Sequence, residues 1–201
     1  ILEAIRCEVG WDMDVMIELH GLWNRRSVTR IADALTELRP YWIEDPLRPD
    51  AIDALAALRS DIDVPIATGE TTFGRRGLLP LLQRGAVDVV TVDVGWTGGL
   101  TEAKKVADLA DTFTVPVAPH DCTGPVSLAV AAHLVSAQPN GLVQETTRAW
   151  LRTWYTEIAE DLPEVAGGFL RVSDRPGHGV RLRNDLGERS PAQTRSVRWQ
   201  G

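Results

Sequence analysis

Six short β-branched segments recur along this chain, and each closes on a residue that can carry charge. They run Val15–Leu19, Tyr41–Asp45, Pro65–Gly69, Val89–Asp93, Pro116–His120 and Leu142–Thr146, and present Glu18, Glu44, Glu70, Asp93, His120 and Glu145 at or next to their ends. Those residues are 26, 26, 23, 27 and 25 positions apart, which is the length of one strand, one helix and their connections. So regular a step predicts a parallel sheet built from βα units.

The intervening segments SVTRIADALTELR, AIDALAALRS, RRGLLPLLQRG, GLTEAKKVADLADTF and VSLAVAAHLVSA space their apolar residues three or four apart, as one-sided helices do. Ser27 and Asp50 are the expected N-caps.

An open doubly wound sheet and a closed barrel both satisfy this alternation. A dinucleotide-binding sheet wants a GxGxxG turn after a strand, and the chain has none. A (β/α)-barrel gathers the C-terminal ends of its strands around one mouth, which is where this sequence places its acids and histidines. A closed barrel has eight strands, so six visible units predict a barrel incomplete at the amino end, lacking about two βα units and a preceding domain. Residues 1–162 are read as the partial catalytic barrel. From Pro163 the periodicity fails, and 163–201 is read as a tail of turns and short extended pieces that wraps the barrel or docks on the missing part.

Composition narrows the function classes. The 28 acidic residues outnumber 21 basic ones, and a net charge of -7 offers no broad positive face to nucleic acid or an anionic membrane. No apolar run approaches the roughly 20 residues that span a bilayer, and the opening ILEAIRCEVG lacks a signal-peptide layout. Cys7 and Cys122 lie far apart without CxxC spacing, which fits a reducing cytoplasm.

At a barrel mouth, Glu18, Glu44 and Glu70 converge on one small volume. Two like charges about 4 Å apart repel by about 4 kcal/mol at an effective dielectric of about 20, so a positive ion is required. All-oxygen donors point to Mg2+, with Mn2+ the alternative, rather than to zinc. Asp93 and His120 end neighbouring strands and can form a dyad in which the carboxylate fixes the imidazole tautomer and frees the other nitrogen to accept a proton. His20, two residues after Glu18, is either an acid or base from the far side of the site or a turn residue of HGLW. Glu145 is placed to hydrogen-bond substrate or support the site. His133, in an apolar helix pattern, and His178, in PGHG, read as structural. Trp23, Trp96 and Trp150 either line the pocket or pack beneath loops.

The segments ELHGLW, YWIEDPL, IATGET, VDVGWTGGLTEAKKVADLA, VPVAPHDCTGPVSLA and LVQET, with PGHGV in the tail, together resemble the mandelate racemase branch of the enolase superfamily, especially its acid-sugar dehydratases of the galactonate dehydratase type. The resemblance implies a capping domain followed by a modified (β/α)-barrel. It implies Glu18, Glu44 and Glu70 as metal ligands, His120 with Asp93 as the base, His20 as the opposite acid and Glu145 as the last-strand acid. The activity implied is a hydro-lyase reaction on a sugar acid: removal of the proton α to a carboxylate, through an enediolate stabilised by Mg2+, and loss of the β-hydroxyl as water. The alternatives are a racemase or epimerase and an inactive truncated barrel that survives as an interaction module. Where the family commonly has Asp as first ligand this chain has Glu18, one methylene longer. A homo-oligomer is expected, since the resembled family is commonly oligomeric and an incomplete barrel wall needs cover.

Overall fold

A computed structural model describes residues 1–189; the end of the expected tail, 190–201, lies outside the described residues. In chain order the elements are α1 (Leu2–Val9), β1 (Ile17–Glu18), α2 (Arg25–Leu35) with a 3-10 turn at Thr36–Leu38, β2 (Ile43–Glu44), α3 (Ile52–Asp61), β3 (Ile66–Thr68), α4 (Gly74–Gln83), β4 (Val89–Val90), α5 (Leu100–Thr112) and α6 (Pro125–Ala137). After them come α7 (Arg148–Arg152), α8 (Trp154–Ile158) and β5 (Ala159–Glu160), and the expected tail holds β6 (Glu164–Ala166), β7 (Phe169–Arg171), β8 (Arg181–Leu182) and α9 (Leu186–Arg189).

β1 to β4 pair in parallel in chain order, with Glu18 opposite Glu44 and Ala67 opposite Val89. The two later segments, expected as strands, continue the sheet only as single parallel bridges, Val90 to Val117 and Val117 to Gly141. Proline accounts for the break. Ala118 donates its N–H to Val90 of β4 and His120 to Val92 just beyond it, while Val117 donates to Asn140 on the other side; Pro119, next in line on that side, has no N–H to give. Six parallel segments therefore stand in order, and successive helices from α2 to α6 pack side by side against them.

Side chains alternate across these strands with a period of two. Ile66, Val90 and Val117 face outward into the helix layer with Leu55, Leu58, Leu78 and Val106, all buried. Trp42, Ala67, Val89 and Ala118 form a separate cluster on the inner face. One step of two beyond Trp42 and Val89 brings Glu44 and Thr91 to the inner face, and one beyond Ala118 brings His120. The hydrophobic alternation that builds the core thus also aims the polar residues at the mouth.

Local details depart from expectation. Ser27 does not cap α2; Asn24 does, its side chain accepting the Ser27 backbone N–H at 3.0 Å. Asp50 caps nothing and instead pairs with Arg48, leaving α3 without a side-chain cap. Asn24→Ala is expected to lower the unfolding free energy by about 1 kcal/mol, read from urea denaturation, while Ser27→Ala changes it little because Ser27 contributes only backbone.

α1 was not expected. It is held by Arg6, whose buried guanidinium donates to the carbonyls of Gly10, Met13, Leu38 and Arg39, with Trp11 lying against both Arg6 and Arg39. In the tail, β6 and β7 form a hairpin, and β8 pairs antiparallel with β5, which precedes it. No helix among the described residues is long and apolar enough to cross a membrane.

Candidate active site

Glu18, Glu44 and Glu70 do converge, each offering an oxygen within 4.8 Å of the others. Glu18 and Glu44 arrive on the inner face by simple alternation. Glu70 lies three positions past Ala67 and by alternation belongs outside. Gly69 redirects it: its φ of +132° is open to glycine and strained for other residues.

His120 stands beside this triad, its Nδ1 2.9 Å from Asp93 Oδ2 and its Nε2 3.3 Å from Glu70 Oε2. Asp93 is fully buried, and its other oxygen accepts the backbone N–H groups of Gly95 and Trp96. On the far side of Glu70, His20 Nδ1 lies 3.9 Å from Oε1 and 3.8 Å from Glu18 Oε1. His20 reaches that place from a left-handed turn after β1 rather than from the strand itself, and its backbone N–H donates to Glu18 Oε1. Glu145 lies at the rim and accepts the Asp121 N–H at 2.7 Å.

Glu18, Glu44, Glu70, His20, His120 and Glu145 line one cavity of about 720 Å³, with Trp42, Trp96, Met16 and Val143 as its apolar wall, and Asp93 lies buried behind His120. Trp96 is therefore a pocket residue. Trp150 packs on Trp154 and Tyr155 instead, and Trp23 is a half-exposed surface residue. His133 lies in α6 with Nε2 buried and unpaired, and His178 accepts the Val180 N–H; neither reaches the cavity.

Crowding of acids sets the electrostatics. Burial, with Asp45 and Glu70 nearby, pushes the Glu18 carboxyl up to about 7. Burial, with Glu18 and Glu145 nearby, pushes Glu44 up to about 7 as well. Glu70 is raised by burial and by Asp45 despite the two imidazoles. Burial opposes the charged forms of His120 and Asp93, yet their mutual hydrogen bond prevails: His120 rises to about 9, helped by Glu70 and Glu145, and Asp93 falls below the usual carboxylate range. Three carboxyls that resist ionisation together are a donor set that fits a hard divalent cation.

A carboxyl raised in the folded state costs stability as pH climbs from its unfolded value of 4.5 through about 7, and a bound cation removes that cost. Mg2+ is expected to raise the melting temperature more at about pH 8 than at about pH 5, because protons compete for the same oxygens at the lower pH. Equal shifts at both would place the ion elsewhere.

The family model for the enolase C-terminal domain-like family matches residues 1–186. The chain belongs to that family. Its relatives include the D-xylonate dehydratase of Haloferax volcanii, 31% identical over 188 residues that cover 94% of this chain and 45% of that protein. The D-galactonate dehydratase of Ralstonia nicotianae is 30% identical, with 89% of this chain and 48% of that protein covered. Among solved structures, an enolase of the mandelate racemase subgroup from Agrobacterium tumefaciens superposes with a TM-score of 0.87 at 40% identity, over 93% of this chain and 50% of that one. The resemblance read from the motifs and the barrel fold both stand. The chain spans about half the length of the relatives it matches.

For an enolase-type mouth, three further residues escaped the sequence reading. Asp45, buried beside the triad, takes a 2.5 Å hydrogen bond from the Thr68 hydroxyl. Asp121, buried, accepts the Thr147 N–H and the Tyr155 hydroxyl and so ties α7 and α8 to the rim that holds Glu145. Cys122 opens onto the cavity beside His120. Asp45 follows a strand-ending acid in IEDP and was legible in principle; the Asp121–Tyr155 pair, 34 positions apart, was not.

Proposed function

We propose that this chain is the catalytic barrel part of a Mg2+-dependent sugar-acid dehydratase. The observation that carries the reading is the convergence of Glu18, Glu44 and Glu70 between two histidines, one of them paired with a buried carboxylate. The names of the relatives, sugar-acid dehydratases on both occasions cited, support the substrate class.

Glu18, Glu44 and Glu70 would hold Mg2+, or Mn2+ in its place; the longer Glu18 still brings an oxygen to the group. When bound, the ion supplies positive charge to a substrate carboxylate and lowers the cost of carbanion character beside it. His120 takes the α-proton at Nε2, since Nδ1 is committed to Asp93. Neutralising Glu70 withdraws one of the charges that hold the imidazole near 9, which returns it toward a range where it accepts a proton at neutral pH. The electron pair of the broken C–H bond is first delocalised onto the substrate carboxylate, and in a second step it forms the C=C bond as the β C–O bond breaks. His20 donates a proton to the departing hydroxyl, water leaves, and the enol tautomerises to a 2-keto-3-deoxy acid. Glu145, at the rim, is placed to hydrogen-bond the substrate.

A second reading rests on the two histidines that contact the opposite oxygens of Glu70. Bases on two sides of one substrate suit an epimerase. The test incubates the chain, or a longer protein that carries it, with Mg2+ and a panel of sugar acids in deuterated water. Formation of 2-keto-3-deoxy acids is the expected result. Deuterium entering the α-position without loss of water would favour the epimerase, and silence across the panel from the longer protein would sink both.

A further inference from the structure

A second cluster of donors shares the rim with the carboxylate triad, and the acid–base reading leaves one of its members without work. Cys122 Sγ lies 3.9 Å from His120 Nδ1, which is 2.9 Å from Asp93 Oδ2, and the three donor atoms all fall within 4.8 Å of one another. Zn2+ holds sulfur at about 2.3 Å and nitrogen or oxygen at about 2.0 to 2.2 Å in a tetrahedron, which separates neighbouring donors by about 3 to 4 Å. The 3.9 Å between Cys122 and His120 is of that size, and the hydrogen-bonded pair of His120 and Asp93, at 2.9 Å, opens slightly to admit an ion between its two atoms. Asp93 is fixed by two backbone N–H groups, and Cys122 is exposed to the cavity, so a cation can reach a site whose anchor does not move.

The donor set differs in kind from the triad. Three carboxylates suit a hard cation, whereas one thiolate, one imidazole and one carboxylate suit a thiophilic one. We propose that Asp93, His120 and Cys122 form a second metal site that takes a thiophilic divalent cation of the Zn2+ or Cd2+ type. Loading displaces the thiol proton of Cys122 to solvent and uses the Nδ1 lone pair of a neutral His120 whose remaining proton sits on Nε2, with no change of oxidation state. The fourth position is open to the cavity. Loading also breaks the hydrogen bond that orients His120, so the site would inhibit proton transfer; that consequence rests on the acid–base role given above.

The test titrates the 201-residue chain with Cd2+, with and without excess Mg2+, and follows the ultraviolet charge-transfer absorption of a cadmium–thiolate bond. One equivalent is expected to saturate the band, with Mg2+ failing to compete. Cys7→Ser is expected to keep the band and Cys122→Ser to abolish it. His120→Asn and Asp93→Asn are expected to weaken binding by at least the about 10- to 100-fold that loss of a ligand's hydrogen-bond partner costs. In the wild type, Cd2+ is also expected to shift the His120 imidazole resonances, a readout that needs no variant. A band that survives Cys122→Ser, or imidazole resonances unmoved at saturation, would overturn the proposal. Because the signal comes from the thiolate and not from turnover, a missing band leaves the dehydratase reading intact, and absent turnover leaves the band intact.

Discussion

Replacing Glu70 by Gln is expected to lower Mg2+ affinity by more than the about 10- to 100-fold that disturbing a ligand's support costs, below detection by calorimetric titration. Glu70 is the most buried of the three carboxylates and the one both histidines approach. Glutamine keeps its size and shape but removes the charge and one strong donor, so the loss reports on ligation and not on packing. A collapsed variant would give the same silence, and the electrostatics supply the control. The Glu70 carboxyl is raised on balance in the folded chain, which means its ionised form is unfavourable there. In metal-free buffer at about pH 8, Glu70→Gln should therefore melt no lower than the wild type. A variant that is equally stable but no longer binds Mg2+ supports the triad. A wild type that does not bind would advance the reading of the chain as an inactive barrel.

The framework of this site was legible because it rests on periodic features. Steps of 23 to 27 positions between strand-ending residues place Glu18, Glu44, Asp93 and His120 in register on one parallel sheet, and alternation along each strand then chooses the face. What was not legible depends on single backbone conformations or on distant partners. Glu70 returns to the inner face through the unusual φ of Gly69, and His20 through its own left-handed turn. Asn24 rather than Ser27 caps α2 because the chain enters that helix three residues earlier than the apolar pattern suggests. The segments around Val117 and Gly141 fall short of strands because prolines remove donors from one side of the ladder. α1 depends on Arg6 meeting carbonyls 32 and 33 positions away, and no local pattern announces that.

His120→Asn is expected to reduce turnover by about 10²- to 10⁴-fold, the usual contribution of a positioned general base. The side chain touches Glu70 only through Nε2, so Mg2+ affinity should change far less than it does in Glu70→Gln. Turnover would be followed in the chain, or in a longer protein that carries it, by product formation and by solvent deuterium at the substrate α-carbon. Both should fall together in His120→Asn, because every later step waits on the α-proton. Asp93→Asn should lower both in the same proportion but less steeply, since it leaves the base in place and removes what orients it and raises its basicity. His20→Asn separates the two readings. If His20 protonates the leaving hydroxyl, its loss should stop water elimination while α-deuterium exchange through His120 continues. If His20 is instead the second base of an epimerase, exchange at one stereoisomer should disappear while the other still exchanges. Should His120→Asn leave exchange untouched, the base is another group, and the pairing of His120 with Asp93 serves only to hold the rim together.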